Sequence, residues 1–150
     1  MKVVIQRVSR ALVSIDNAVF SSIHQGLMVL AGIEDADTEA DADWLAAKLV
    51  AMRIFSDADG KMNLSVKEIA GEILVVSQFT LHASTQKGNR PSFIKAARPE
   101  KAIPLYEYFI KKINMESGKI CKTGVFGADM KIELINDGPV TIVVDSKNKE

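Results

Sequence analysis

The chain has 150 residues, 47% of them apolar and 25% charged, a length and composition that suit one ordinary globular domain with a sizeable core. Its 19 basic and 19 acidic side chains balance, which excludes a polycation or a polyanion. The halves differ, however: residues 1–75 carry seven Lys/Arg against eleven Asp/Glu, and residues 76–150 carry twelve against eight.

In chain order, Val3–Val8 and Ala11–Ile15 read as strands, with Asn17 turning the chain before Val19-Phe20. Gly26–Ile33 is a continuous apolar run, the pattern of a strand covered on both faces. Thr38 opens a helix in which Trp44, Leu45, Leu49 and Met52 recur at helical spacing and form one apolar face. Asp57–Gly60 is a turn, and Ile73–Leu81 is the next strand. Pro91 and Pro99 punctuate a looser stretch before a second helix, Glu100–Met115, with Gly118 placed as its C-terminal cap. Strands are then expected over Ile120–Phe126, Lys131–Asn136 and Val140–Asp145. This order predicts a single α/β domain over residues 1–150. Its sheet would be mixed and strongly curved, barrel-like, with two helices packed on one side.

Polar residues break up Met1–Arg10, unlike a signal peptide, and the longest apolar run, Leu27–Ile33, is too short to span a bilayer. A single cysteine, Cys121, permits no intramolecular disulfide and reads as a small buried strand residue. The expected location is the cytoplasm, with no membrane partner. No metal or cofactor is expected either. The acids Asp35, Asp37, Glu39, Asp41 and Asp43 lack the glycine and terminal glutamate of a calcium loop, and negative charge at a helix start is favourable by itself. Asp57-x-Asp59-Gly60 is hairpin chemistry, and His24 and His82 stand without a second ligand at metal spacing. Gly124-x-x-Gly127 lacks the strand-to-helix context of a dinucleotide fingerprint.

Two segments carry chemistry. Ile73–Val76 is apolar on both faces, then Ser77, Gln78, Thr80 and His82 appear, as in a buried strand emerging into a site or a turn. On an extended strand Gln78, Thr80 and His82 would point one way and Ser77, Phe79 and Leu81 the other. Asn136-Asp137-Gly138-Pro139-Val140-Thr141 lies between two expected strands, where it reads as a hairpin loop, with Gly138-Pro139 at a bend.

These segments, with Val3–Val8, Asp59–Asn63, Gly88–Phe93 and Phe126–Met130, follow one another in an order that closely resembles the D-aminoacyl-tRNA deacylases, almost end to end. The resemblance implies a homodimer, with sites at the subunit interface, that hydrolyses the ester between a D-amino acid and the acceptor end of tRNA. The strand Ser77-Gln78-Phe79-Thr80-Leu81 would line the site. Gly138 and Pro139, joined by a cis bond, would reach in from the partner subunit and reject L-amino acids. Arg7 would hold that pair in place, with Met130 close by.

The residue set agrees with such chemistry. No His–Asp pair accompanies a serine, and Cys121 has no evident base, so a conventional nucleophilic machine is poorly supplied. An aminoacyl ester is already activated by its ribose hydroxyl and protonated amine. Positioning by Gln78, Phe79 and Thr80, with backbone N–H groups of Phe79 and Thr80 on the oxyanion, could supply much of the rest. Main-chain carbonyls beside Cα would exclude a substituent by position and not by type, so mischarged glycyl-tRNA would also be a substrate. Two other readings stand beside this one: a small-molecule esterase using Thr80 with His82, and a non-enzymatic RNA-binding module. Nine cations between residues 82 and 123 (Lys87, Arg90, Lys95, Arg98, Lys101, Lys111, Lys112, Lys119 and Lys122) are candidates for contact with the acceptor stem.

Overall fold

The apolar positions Val3, Ile5, Val8, Ala11 and Val13 belong to one uninterrupted strand, β1 (Lys2–Ile15), which is the spine of the fold. The computed structural model describes every residue from Met1 to Glu150. One side of β1 is shared by two antiparallel neighbours, β2 (Ala18–Ile23) along its second half and β3 (Gly26–Gly32) along its first. Beyond β3, β6 (Glu72–Ser77) and the short β7 (Lys122–Thr123) continue the sheet in parallel. The other side of β1 carries β8 (Lys131–Asp145), antiparallel along almost its whole length. The sheet is therefore mixed and strongly curved, and Ser21 Oγ on β2 donates to the Thr123 carbonyl on β7 at 2.6 Å, across the gap that would close it into a barrel.

Six of the seven β3 residues are buried, as its apolar run requires, and at its start a Cβ on Gly26 would overlap the Glu72 carbonyl of β6. The two faces of β3 and β6 serve different interiors. Leu27, Val29, Ile73 and Val75 join the main core with Leu45 and Leu49 of α1 (Glu39–Ala51) and Leu105, Phe109 and Ile113 of α2 (Pro99–Ser117). Met28, Leu74 and Val76 turn the other way, onto Val8, Ala11 and Val13 inside the curve. Both helices thus lie on one side, and each buried Leu or Phe there contributes about 1.5–3 kcal/mol.

Cap chemistry sets the helix ends. Asp41 accepts the Thr38 backbone N–H at 2.8 Å at the start of α1, while Gly118 ends α2 in a left-handed conformation (φ 74°) and donates to the Asn114 carbonyl at 3.0 Å. Two of the acids are held by local partners. Asp37 receives the Met1 ammonium, and Asp41 receives Lys147 Nζ at 2.8 Å. Asp57 organises a turn between β4 (Phe55–Ser56) and β5 (Met62–Leu64) by accepting the Asp59 and Lys61 N–H groups. No helix is long and apolar enough to cross a membrane.

Four expectations change. The two strands expected over residues 3–15 are one, bulged at Val13/Ser14 against β2 and near Arg7 against β8. Ile120–Phe126 is strand only at Lys122–Thr123, because Gly124 and Gly127 (φ 79°) turn the chain away from β6. The strand from Ile73 ends at Ser77. Lys131–Asn136 and Val140–Asp145 are not arms of a hairpin. Both pair with β1, and the residues between them are an excursion from one 15-residue strand.

Candidate active site

Gln78 ends the ladder of β6: its N–H donates to the Ala31 carbonyl of β3 at 2.7 Å. Opposite it, a Cβ on Gly32 would come within 2.9 Å of both the Gln78 carbonyl and Leu81 Cβ, so glycine lets the chain fold tightly back over β3. There Phe79–His82 wind into a single 3-10 turn. The alternation assumed from an extended strand is thereby broken, and Thr80 and His82 do not share a face. Thr80 is exposed, and its Oγ1 accepts a 2.6 Å hydrogen bond from Gln78 Nε2. His82 is buried, with Nδ1 4.0 Å from Glu34 Oε2. No hydrogen bond joins Thr80 to His82. The N–H groups of Phe79 and Thr80 open the turn, where a helical turn leaves its donors without partners of its own. Phe79 is exposed on one face and packs edge-on against Phe93 on another, with ring centres 5.1 Å apart. Ser77 and Leu81, half-buried, flank the turn.

The second segment is built on Arg7. Gln6 pairs with Thr141 and Val8 with Asn136, so Asp137–Val140 bulge out of β8 opposite the single residue Arg7. Arg7 Nε donates to the Asp137 carbonyl at 2.8 Å, and Nη1 donates to the Ile54 carbonyl at 2.7 Å. Asn136 closes the base: its Oδ1 accepts the Val140 N–H at 2.7 Å and its Nδ2 donates to Thr141 Oγ1 at 2.8 Å. The Gly138–Pro139 bond is cis, and Gly138 has φ 137°, a region that disfavours any side chain. Both residues are exposed.

Met130 sits elsewhere, before β8 and against the inner cluster, its sulfur touching the place a Cβ on Gly124 would take. Within one chain no hydrogen bond links residues 136–141 to residues 77–81. Three features escape the sequence reading. Ile54 supplies the second carbonyl that fixes Arg7, Phe93 supports Phe79, and β8 has an unpaired outer edge with Ile135 and Val143 exposed on it. Leu81 borders a groove of about 840 Å³ that runs along that edge past Trp44, Met52 and Ile142. No local signal marks these three, since β1 carries Lys2, Gln6, Ser9 and Arg10 as well as Arg7, and each feature depends on tertiary contact.

A sequence model of the family described as D-Tyr-tRNA(Tyr) deacylase matches residues 4–145, a span that contains Arg7, Ser77–Leu81, Met130 and Gly138-Pro139. The chain belongs to the D-aminoacyl-tRNA deacylase family. Family members include proteins named D-aminoacyl-tRNA deacylase from Akkermansia muciniphila, 64% identical over 151 residues, and from Flavobacterium johnsoniae, 61% identical over 150, both covered end to end. Among solved structures, one titled c-Myc DNA Unwinding Element Binding Protein superposes on this deacylase-family chain with a TM-score of 0.90. The match is 39% identical and covers 97% of this chain and 98% of that one. The curved sheet with two helices on one side is thus the fold of that structure too.

Proposed function

We propose that this protein hydrolyses the ester between a D-amino acid and the 3′ end of tRNA, with the whole chain as one catalytic domain. The observation that carries the reading is the Arg7-clamped excursion Asp137–Val140, which presents Gly138 and Pro139 exposed on β8. A homodimer gives that excursion its use. The unpaired edge of β8, with Ile135 and Val143 exposed, is a surface a second copy can cover, and unpaired edges are otherwise a liability. Gly138-Pro139 of one subunit then enters the other's site at Ser77–Leu81, and its carbonyls occupy the volume an L side chain needs. Glycyl esters, with no side chain, pass.

Water attacks the ester carbonyl carbon, and the oxyanion that forms takes hydrogen bonds from the N–H groups of Phe79 and Thr80. One such donor is worth about 10²–10³ in rate. The ribose oxygen leaves and takes up the proton, releasing free D-amino acid and tRNA. Gln78 holds the Thr80 hydroxyl, Ser77 and Leu81 shape the pocket floor, and Arg7 and Asn136 hold the selecting loop. No cofactor enters this scheme, and the cytoplasm, where charged tRNA is found, is the compartment it needs. Comparing D-aminoacyl-tRNA with the methyl ester of the same D-amino acid tests the assignment. Turnover of the tRNA ester alone is expected; equal turnover of both would make the protein a general esterase.

A further inference from the structure

The structure divides the nine cations of residues 82–123 by what they touch. Lys101 donates to the Asp35 carbonyl, Lys119 to the Ala70 carbonyl, and Lys112 pairs with Asp43 at 3.1 Å. Lys87, Arg90, Lys95 and Arg98 are exposed and make no ion pair or side-chain hydrogen bond. All four fall in residues 83–98, which contain no Asp or Glu. Lys111 and Lys122 are unpaired as well, but stand singly on α2 and β7.

That segment is anchored beside the site at both ends and in the middle. The Ala83 N–H donates to the Thr80 carbonyl at 3.0 Å, and the Ala97 N–H donates to the Ile33 carbonyl at 2.9 Å. Ser84 and Ser92 exchange both backbone hydrogen bonds, at 2.8 and 2.9 Å, making a hairpin with Lys87 and Arg90 in its loop. Phe93 braces the whole against Phe79. Four cations outside any ion pair are therefore carried on one segment anchored next to the turn Phe79–His82, with Glu34 and Asp145 the acids that line the same cleft as Lys95. A local excess of positive charge of that kind attracts a polyanion, and a phosphodiester backbone matches it by charge.

We propose that residues 83–98 form a phosphate-binding arm that holds the backbone of the tRNA 3′ end while the ester lies at Ser77–Leu81. The proposal rests on the deacylase reading of that site. The arm acts on affinity and register, leaving the chemical step to the turn beside it.

The test uses the double variants Lys87→Ala/Arg90→Ala and Lys95→Ala/Arg98→Ala, with Lys61→Ala/Lys131→Ala, exposed cations outside residues 82–123, as the control. With D-aminoacyl-tRNA each arm variant should raise KM about tenfold at low salt, hold kcat, and make the dependence of log(kcat/KM) on log[salt] shallower by about 2. Kinetics on the D-aminoacyl ester of adenosine, which has no phosphodiester, should not change, and the control should match the parent on both. An arm variant with unchanged KM, or with equal losses on both substrates, overturns the arm. Binding of uncharged tRNA reads the arm without turnover: weaker binding by the arm variants alone supports it, and unchanged binding overturns it. If those variants lose tRNA affinity while the parent protein hydrolyses no D-aminoacyl ester, the arm stands and the deacylase reading falls.

Discussion

Arg7 Nη2 lies 2.8 Å from the point that a Cβ on Gly138 would occupy, so the guanidinium and residue 138 compete for one volume. Gly138→Ala would have to displace Arg7 and adopt φ 137° with a side chain, mis-aiming the carbonyls on either side. We expect kcat/KM for D-aminoacyl-tRNA to fall at least about tenfold, since small displacements of positioning groups cost that much or more. The excursion is at the surface, so thermal melting should show the fold retained.

Arg7→Lys should behave like Arg7→Ala. The fork of the guanidinium serves two carbonyls at once, Asp137 at 2.8 Å and Ile54 at 2.7 Å, and one ammonium cannot reproduce that geometry. Loss of deacylation in both variants, measured by release of labelled D-amino acid, is the expected result; full activity in Arg7→Lys would show that charge alone suffices.

Thr80→Ala should keep substantial deacylation. Its hydroxyl accepts from Gln78 at 2.6 Å and no base stands ready to take its proton, since His82 is buried on the side of Glu34. His82→Ala should also retain turnover. Trapping of an acyl-enzyme on Thr80, by mass spectrometry of quenched reactions, would replace the backbone mechanism by a covalent one.

The fold was legible where a residue pattern has one physical meaning. The apolar run at Gly26–Ile33, Thr38 ahead of α1 and Gly118 behind α2 each mark an element that the structure contains. The site segments were legible as places and not as shapes. Ser77–Leu81 has the composition of a strand end, and its fold into a 3-10 turn depends on Gly32, a residue of another strand. Asn136–Thr141 has hairpin composition, yet its flanks share β1 as a common partner, a long-range pairing that no local pattern encodes. Ile54 and Phe93 were invisible for the same reason: each matters only through what tertiary contact places beside it.

Cys121 should be inert in the native state. Burial pushes its thiol up to about 11, so at pH 8 almost none is thiolate. Iodoacetamide should label the unfolded chain and leave the folded one unmodified over the same period, as read by intact mass.

Asp41 ties the start of α1 to the C-terminal segment. Burial alone would raise its pKa, but hydrogen bonds from Lys147, Ser146 and Thr38 outweigh that and hold it well below the ordinary carboxylate range. A carboxylate depressed on folding contributes stability above its unfolded value of about 3.9 and loses it as pH falls toward its folded value. Asp41→Asn should therefore lower the melting temperature at pH 7, and the gap from the parent protein should narrow as pH falls below about 4.

Paired deacylation assays on one tRNA charged in turn with the D and L forms of the same amino acid test the selecting role of Gly138-Pro139 most directly. The account predicts rapid release from the D ester, none above the spontaneous rate from the L ester, and release from glycyl-tRNA as well. Comparable hydrolysis of the D and L esters by the unmodified protein would contradict it.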